Sequence, residues 1–215
     1  MGAYLDSPIK DKNPENGATD IAKWGVASMQ GWRCGMEDAH ICCEIKLGNG
    51  EKGSLFGVFD GHGGKDVAMF AKAHLKRILE HELGRQTDIK RALETAFLKL
   101  DEQVSSEDYA VDTGTTSCVV LITPSEIYCA NAGDSRAVLC NEDKAYPLSE
   151  DHKPDNAGEQ DRIERTSHMV EESRVDGNLA LSRAFGDFQY KDSKKAKPED
   201  QAVTAFPDVS VRRRQ

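Results

Sequence analysis

Apolar and polar residues along this chain follow two rhythms. Residues 24–29 and 39–45 alternate, the two-residue period of half-buried strands. Residues 54–60 form a short apolar run ending in glycine-rich sequence, which predicts a central strand delivering Asp60 to a loop. The period then lengthens: Val67, Phe70, Ala71, Leu75, Ile78 and Leu79 share one helical face. Ile89, Ala92, Leu93, Ala96, Phe97, Leu100 and Val104 form a second stripe, with Thr87 placed to cap it and Asp88 suited to its first turn. Residues 115–122, 127–131 and 136–140 return to strand pattern, separated by turns at Pro124-Ser125 and Gly133-Asp134. Residues 156–165 predict a short helix and residues 191–200 a charged loop. Residues 1–20 carry Pro8, Pro14 and Gly17 without an apolar period and read as a flexible leader. A helix pair followed by more strands predicts mixed α+β layers and not a regular βαβ series.

Composition narrows the picture. A chain of 215 residues suffices for one compact domain. The net charge of -9 argues against a nucleic-acid partner, because phosphate affinity needs a basic face; the Arg212-Arg213-Arg214 cluster reads as a solvated tail. No apolar run approaches the roughly 20 residues that span a bilayer, and the N-terminus lacks the apolar stretch of a signal peptide. Met1-Gly2 raises N-myristoylation, but Asp6 stands where that pattern wants Ser or Thr, and Ser7 follows one place late. The six cysteines show no Cys-x-x-Cys spacing and read as reduced, mostly buried thiols of an intracellular protein.

Three segments carry chemistry. In Asp60-Gly61-His62-Gly63-Gly64 a carboxylate ends an apolar strand, where it is costly unless paired or bound to a cation. The glycines leave the Gly61 carbonyl accessible, and all-oxygen ligation suits Mg²⁺ or Mn²⁺. His62 stands where it could protonate a leaving group. A tight turn whose Asp caps the next helix explains the pentapeptide equally well. Met36-Glu37-Asp38-Ala39-His40 puts adjacent carboxylates at a strand entrance; in extended chain they face opposite ways, so at most one is a direct ligand. Arg33, just before them, offers a planar fork matched to phosphate. A solvated charged turn is the alternative. Asp134, in Ala130-Asn131-Ala132-Gly133-Asp134-Ser135-Arg136, is either a cation ligand or an Asx-turn.

These segments, in this order, resemble the metal-dependent type 2C (PPM) family of Ser/Thr protein phosphatases. The resemblance runs from about Trp24 to Val211 through SMQGWRCGMEDAH (28–40), FGVFDGHGG (56–64), TTSCVVLI (115–122), YCANAGDSRAVLC (128–140), LSEDHKPDN (148–156), DGNLALSRAFGDFQYK (176–191) and FPDV (206–209). It implies two antiparallel β-sheets packed as a sandwich and flanked by antiparallel helix pairs. It implies Asp60 as the carboxylate bridging two metals, with the Gly61 carbonyl on one and Glu37 on the other. Asp38 then holds a metal-bound water, Arg33 the phosphate, and His62 acts as the general acid; Asp134 belongs to a third, weaker metal. The implied reaction is hydrolysis of phosphoserine and phosphothreonine in proteins by a metal-activated water, without a cysteine nucleophile.

The chain also departs from the family pattern. The family continues past FPDV into an Ala-Cys-Asp-Gly segment and an Asp-Asn pair, whose aspartates complete the metal site that Glu37 serves. The resemblance therefore implies a C-terminally incomplete catalytic domain over residues 21–215, weak in hydrolysis by itself. A phosphatase-like module that binds phosphoproteins, or an interaction scaffold, is the alternative. Ser167 and His168 stand where the family has two glycines. The remaining expectations are phosphorylated protein substrates, a monomeric state and a cytoplasmic location. Nuclear or membrane association is the alternative location, the latter requiring myristoylation of Gly2.

Overall fold

The computed structural model describes residues 4–214, so Gly2 and the question of its acylation lie outside the described residues. β1 (Tyr4–Ile9), β2 (Asn13–Ala18), β3 (Lys23–Ser28) and β4 (Gly31–Arg33) form two antiparallel ribbons, β1 with β4 and β2 with β3. Much of the segment expected to be a loose leader is thus paired strand. Its side chains are exposed almost throughout, so backbone hydrogen bonds form the ribbons without leaving an apolar alternation to read. Gly17 lies directly under the Trp24 ring, where a Cβ would come within 2.6 Å of the indole.

β5 (Ala39–Lys46) and β6 (Lys52–Phe59) pair in unbroken register from Ala39 with Phe59 to Lys46 with Lys52. The chain then passes Asp60 into β7 (Gly61–His62), α1 (Asp66–Leu83) and α2 (Ile89–Val104). Asp88, not Thr87, caps α2: its carboxylate accepts from the Arg91 N–H at 3.2 Å, a bond Thr87 stands one residue too early to make. β8 (Gly114–Thr115), β9 (Ser117–Ile122) and β10 (Glu126–Ala132) follow, then the hairpin β11 (Val138–Asn141) with β12 (Lys144–Pro147). β11 starts two residues later than the pattern suggested, because Arg136 turns outward to a bidentate pair with Asp151 at 2.8 and 2.9 Å. α3 (Ala157–Glu164), β13 (Val170–Glu171), β14 (Arg174–Val175), β15 (Phe185–Gly186) and β16 (Asp208–Arg213) complete the fold.

The main sheet runs β16-β10-β9-β6-β5, every neighbour antiparallel. One face turns Ile41, Ile45, Leu55, Phe59, Val119 and Leu121 onto the buried stripes of α1 and α2. Each such side chain contributes roughly 1.5–3 kcal/mol on burial. The opposite face carries a broken β layer. The β2–β3 ribbon is tied there by Thr19 Oγ1 to Ser54 Oγ at 2.6 Å and Glu15 to His40 at 3.3 Å. At the other end Cys118, Cys129 and Leu148 pack with Leu139 of β11. Antiparallel β layers with helices outside are the expected fold class.

Two further expectations change. Arg212 and Arg213 are not a solvated tail: they end β16, opposite Ile127 and Glu126 of β10. Of the cysteines only Cys118 and Cys129 are buried; Cys42 and Cys43 are half-buried, Cys34 and Cys140 exposed. A second small core of Ile163, Val175, Ala184, Tyr190, Ala202 and Val203 lies under α3. Beside it Glu159 is buried between Arg162 at 2.9 Å and Arg183 at 2.7 Å.

Candidate active site

The sheet delivers Asp60 as the first residue beyond β6, and Thr116 holds it there. Asp60 N–H donates to Thr116 Oγ1 at 3.1 Å, Thr116 N–H donates to the Asp60 carbonyl at 3.0 Å, and the Thr116 hydroxyl meets Ser135 at 2.7 Å. Gly63 and Gly64 then turn the chain with φ of +71° and +151°, which only glycine adopts without strain. Gly61 is needed for a different reason: a Cβ there would overlap the Glu37 carbonyl oxygen. That close approach seats the 36–40 segment on the Asp60 loop.

Asp60 lies at an open, solvent-facing place, yet enough protein surrounds its carboxyl to desolvate it in part. Burial, the charges of Asp38 and Asp134, and a hydrogen bond with Asp38 all push its pKa above the usual carboxylate range; His62 opposes them. Asp38, rather than Glu37, is thus the neighbour whose side chain reaches Asp60. The Glu37 carboxylate is drawn to Arg33 at 3.6 Å, and the Arg33 side chain is 59% exposed, free to swing to an incoming anion. Asp134, on the turn after β10, pairs with Lys153.

The Asp134 turn has its own support. His152 N–H donates to the Gly133 carbonyl at 3.0 Å, and the Gly133 N–H donates to His152 Nδ1 at 3.1 Å. With Nδ1 accepting, His152 carries its proton on Nε2 and donates it to Asp208 at 3.2 Å. The bond from His152 and the contacts of Arg183 hold Asp208 well below the usual carboxylate range, although burial opposes them.

His62 is half-buried with Nε2 2.7 Å from the carboxylate of Asp187, a residue only 1% exposed. Burial pushes the His62 pKa down, but the bond to Asp187 and the charges of Asp187, Asp60 and Glu37 outweigh it, and the net direction is up. The structure therefore gathers His62, Asp60, Asp38 and Asp134, with Glu37 and Arg33 at one side. Local sequence assigns no role to Thr116, Lys153, His152 or Asp187, although each lies in a family motif. Their partners are set by sheet pairing, which local spacing does not reveal.

Among the described residues, no three His, Cys, Asp or Glu side chains stand close enough together to hold a metal ion as placed. Asp134 is instead paired with Lys153, and Glu37 with Arg33. The donor set itself fits a hard divalent cation, being oxygen-only, with partial burial and then the charges of Asp38 and Asp134 raising the Asp60 pKa.

The protein phosphatase 2C description matches residues 22–215. The chain belongs to the protein phosphatase 2C family. It is 44% identical to protein phosphatase 2C homolog 2 of Hypocrea jecorina, over 98% of this chain and 50% of that protein. It is also 44% identical to protein phosphatase 2C homolog 3 of Schizosaccharomyces pombe, over 98% of this chain and 52% of that protein. The chain thus spans about half the length of these fungal phosphatase 2C relatives. Among solved structures, a phosphatase from a pathogenic strain of Toxoplasma gondii has a TM-score of 0.73 at 25% identity. That match covers 97% of this chain and 73% of the other. The phosphatase 2C fold and the mixed α+β architecture read from the sequence therefore agree.

Proposed function

We propose that the Asp60 site hydrolyses phosphoserine and phosphothreonine esters of proteins in a reaction dependent on Mg²⁺ or Mn²⁺. The observation that carries this reading is the convergence of Asp60, Asp38 and Asp134 beside an exposed Arg33 and the His62–Asp187 pair. Asp60, Glu37 and the Gly61 carbonyl would hold two divalent ions, Asp38 their bound water, and Asp134 a third ion. When bound, the ions neutralise phosphoryl charge and lower the pKa of the attacking water.

The chain's own residues do the rest. Arg33 leaves Glu37 and grips two phosphoryl oxygens with its fork, fixing the ester in line. Asp38 accepts a proton from the attacking water and orients it. His62, in its protonated form, gives a proton to the departing Ser or Thr oxygen. Exposure of Arg33 and Asp60 makes the site shallow, which suits a phosphorylated side chain on a protein surface rather than an enclosed small molecule.

The test is a Mn²⁺ titration of the whole chain, followed by thermal unfolding and by hydrolysis of a phosphoserine peptide. At ~100-fold excess over its dissociation constant the ion adds ~2.7 kcal/mol, a rise of roughly 5–10 °C in Tm. Asp60→Asn should abolish the rise together with any turnover. Equal Mn²⁺ stabilisation in Asp60→Asn would sink the site assignment. Metal binding with phosphopeptide capture but no turnover would leave a binding module instead.

A further inference from the structure

The short three-stranded ladder β15-β8-β7 has a consequence for the chemistry of His62. In it His62 pairs with Gly114, and Gly114 pairs on its other side with Gly186. Gly114 is therefore the rung between His62 and the residue before Asp187. A Cβ on Gly114 would overlap the Asp187 carboxylate and come within 2.6 Å of His62 Nε2. Glycine at that rung lets the two side chains meet across a chain separation of 125 residues.

The Asp187 end is held just as firmly. Gly186 has φ +77° and Asp187 φ +54°, a left-handed step that Asp tolerates better than most residues. Asp187 N–H donates to the Thr113 carbonyl at 3.0 Å. One residue earlier, Gly186 N–H donates to Asp101 of α2 at 2.9 Å, and Lys191 pairs with the same buried carboxylate at 2.7 Å. Phe185 packs against Phe97 of α2 with centroids 5.1 Å apart and the rings tilted by 51°. These contacts hold one buried carboxylate against a half-buried imidazole.

We propose that Asp187 is the positioning residue for His62, fixing the proton on Nε2 and so making Nδ1 the atom that serves the leaving oxygen. This rests on the reading of His62 as proton donor. In the step, the ester P–O bond breaks as water attacks phosphorus, and its electron pair goes to the departing oxygen. That oxygen takes the proton from Nδ1, the N–H pair stays in the ring, and His62 is left neutral with Nε2–H still on Asp187.

The test reads the tautomer directly, without metal and without turnover. Long-range proton–nitrogen spectra of the uniformly ¹⁵N-labelled whole chain resolve the two imidazole nitrogens, with His62→Gln identifying the signals. Wild-type neutral His62 is expected as a single Nε2–H tautomer. In Asp187→Asn, and separately in Gly114→Ala, that single-tautomer signature should be lost while the amide spectrum stays dispersed. A wild-type His62 with its proton on Nδ1 overturns the proposal with no variant needed. So does an unchanged Nε2–H signature in a folded Asp187→Asn. A chain that shows the Asp187-dependent tautomer but hydrolyses no phosphoester would support the pairing while defeating the hydrolase reading.

Discussion

Replacing Glu159 by Gln removes the anion from a buried three-charge cluster, and the structure says how much that should cost. The Glu159 carboxylate accepts from Arg183 at 2.7 Å and from Ser182 at 2.6 Å, and pairs with Arg162 at 2.9 Å. Burial alone would raise its pKa, but these partners outweigh burial and bring it from an ordinary 4.5 to about 2. At ~1.4 kcal/mol per pH unit, that difference corresponds to ~3 kcal/mol of folding stability. The figure matches the roughly 3–5 kcal/mol expected when one partner of a buried ion pair is deleted. The sign follows from a folded value below the unfolded one: the contribution is complete above about pH 4.5 and drains away as the pH falls toward about 2. Urea unfolding followed by circular dichroism should place Glu159→Gln ~3 kcal/mol below wild type at pH 7, with the gap narrowing on acidification. Hydrogen exchange should localise the loss to residues 157–164 and 182–184. Because Arg183 also holds Asp208 at 2.7 Å, and Asp208 holds His152, the Gly133–Asp134 turn should exchange faster too. A variant within about 0.5 kcal/mol of wild type at pH 7, the ordinary range for surface changes, would refute the reasoning.

Phe97→Ala removes the ring under Phe185 and should cost about 3–5 kcal/mol in urea unfolding; a loss below about 1 kcal/mol would mean the site collapses around the gap. Gly61→Ala drives a methyl into the Glu37 carbonyl and should remove the Mn²⁺-induced rise in Tm even where the chain still folds; an undiminished rise would show that the 36–40 segment need not sit on the Asp60 loop. His168 bridges Asp176 at 2.6 Å and Asp192 at 3.1 Å, and although burial lowers its pKa these carboxylates raise it overall. Its tie is therefore complete below about pH 6.5 and lost as the pH rises through the higher folded value. Normalised hydrogen exchange of residues 168–176 should accelerate across that rise, and the acceleration should be missing in His168→Gln. PH-independent protection in wild type would contradict it.

Periodicity along the chain determined the elements whose burial repeats locally. The stripes of α1 and α2 stood where helical spacing placed them because each buries one regular face. Strands β5, β6, β9 and β10 stood where short runs of alternating or continuously apolar residues placed them, β9 and β10 being buried on both faces for much of their length. Asp60 at the end of β6 was legible for the same reason, and the ordered motifs were specific enough to declare the family. Of the two N-terminal ribbons only β3 was legible, from its alternation; β1, β2 and the three-residue β4 escaped, since β1 and β2 are mostly exposed and Pro14 and Gly17 look like loop. The two-residue strands β7, β8 and β15 are too short for any period to show.

What only the tertiary structure decided is which side chains meet. Glu37 and Asp38 are neighbours in sequence, and packing of Gly61 under the Glu37 carbonyl sends Asp38 to Asp60 and Glu37 to Arg33. Asp187 looks like any loop aspartate until Gly114 lays it against His62. A sequence specifies such meetings through backbone hydrogen bonds between distant short segments, and those bonds carry no side-chain signature at either end. The carboxylates and the imidazole are given by the sequence; their pairing is a property of the folded ladder.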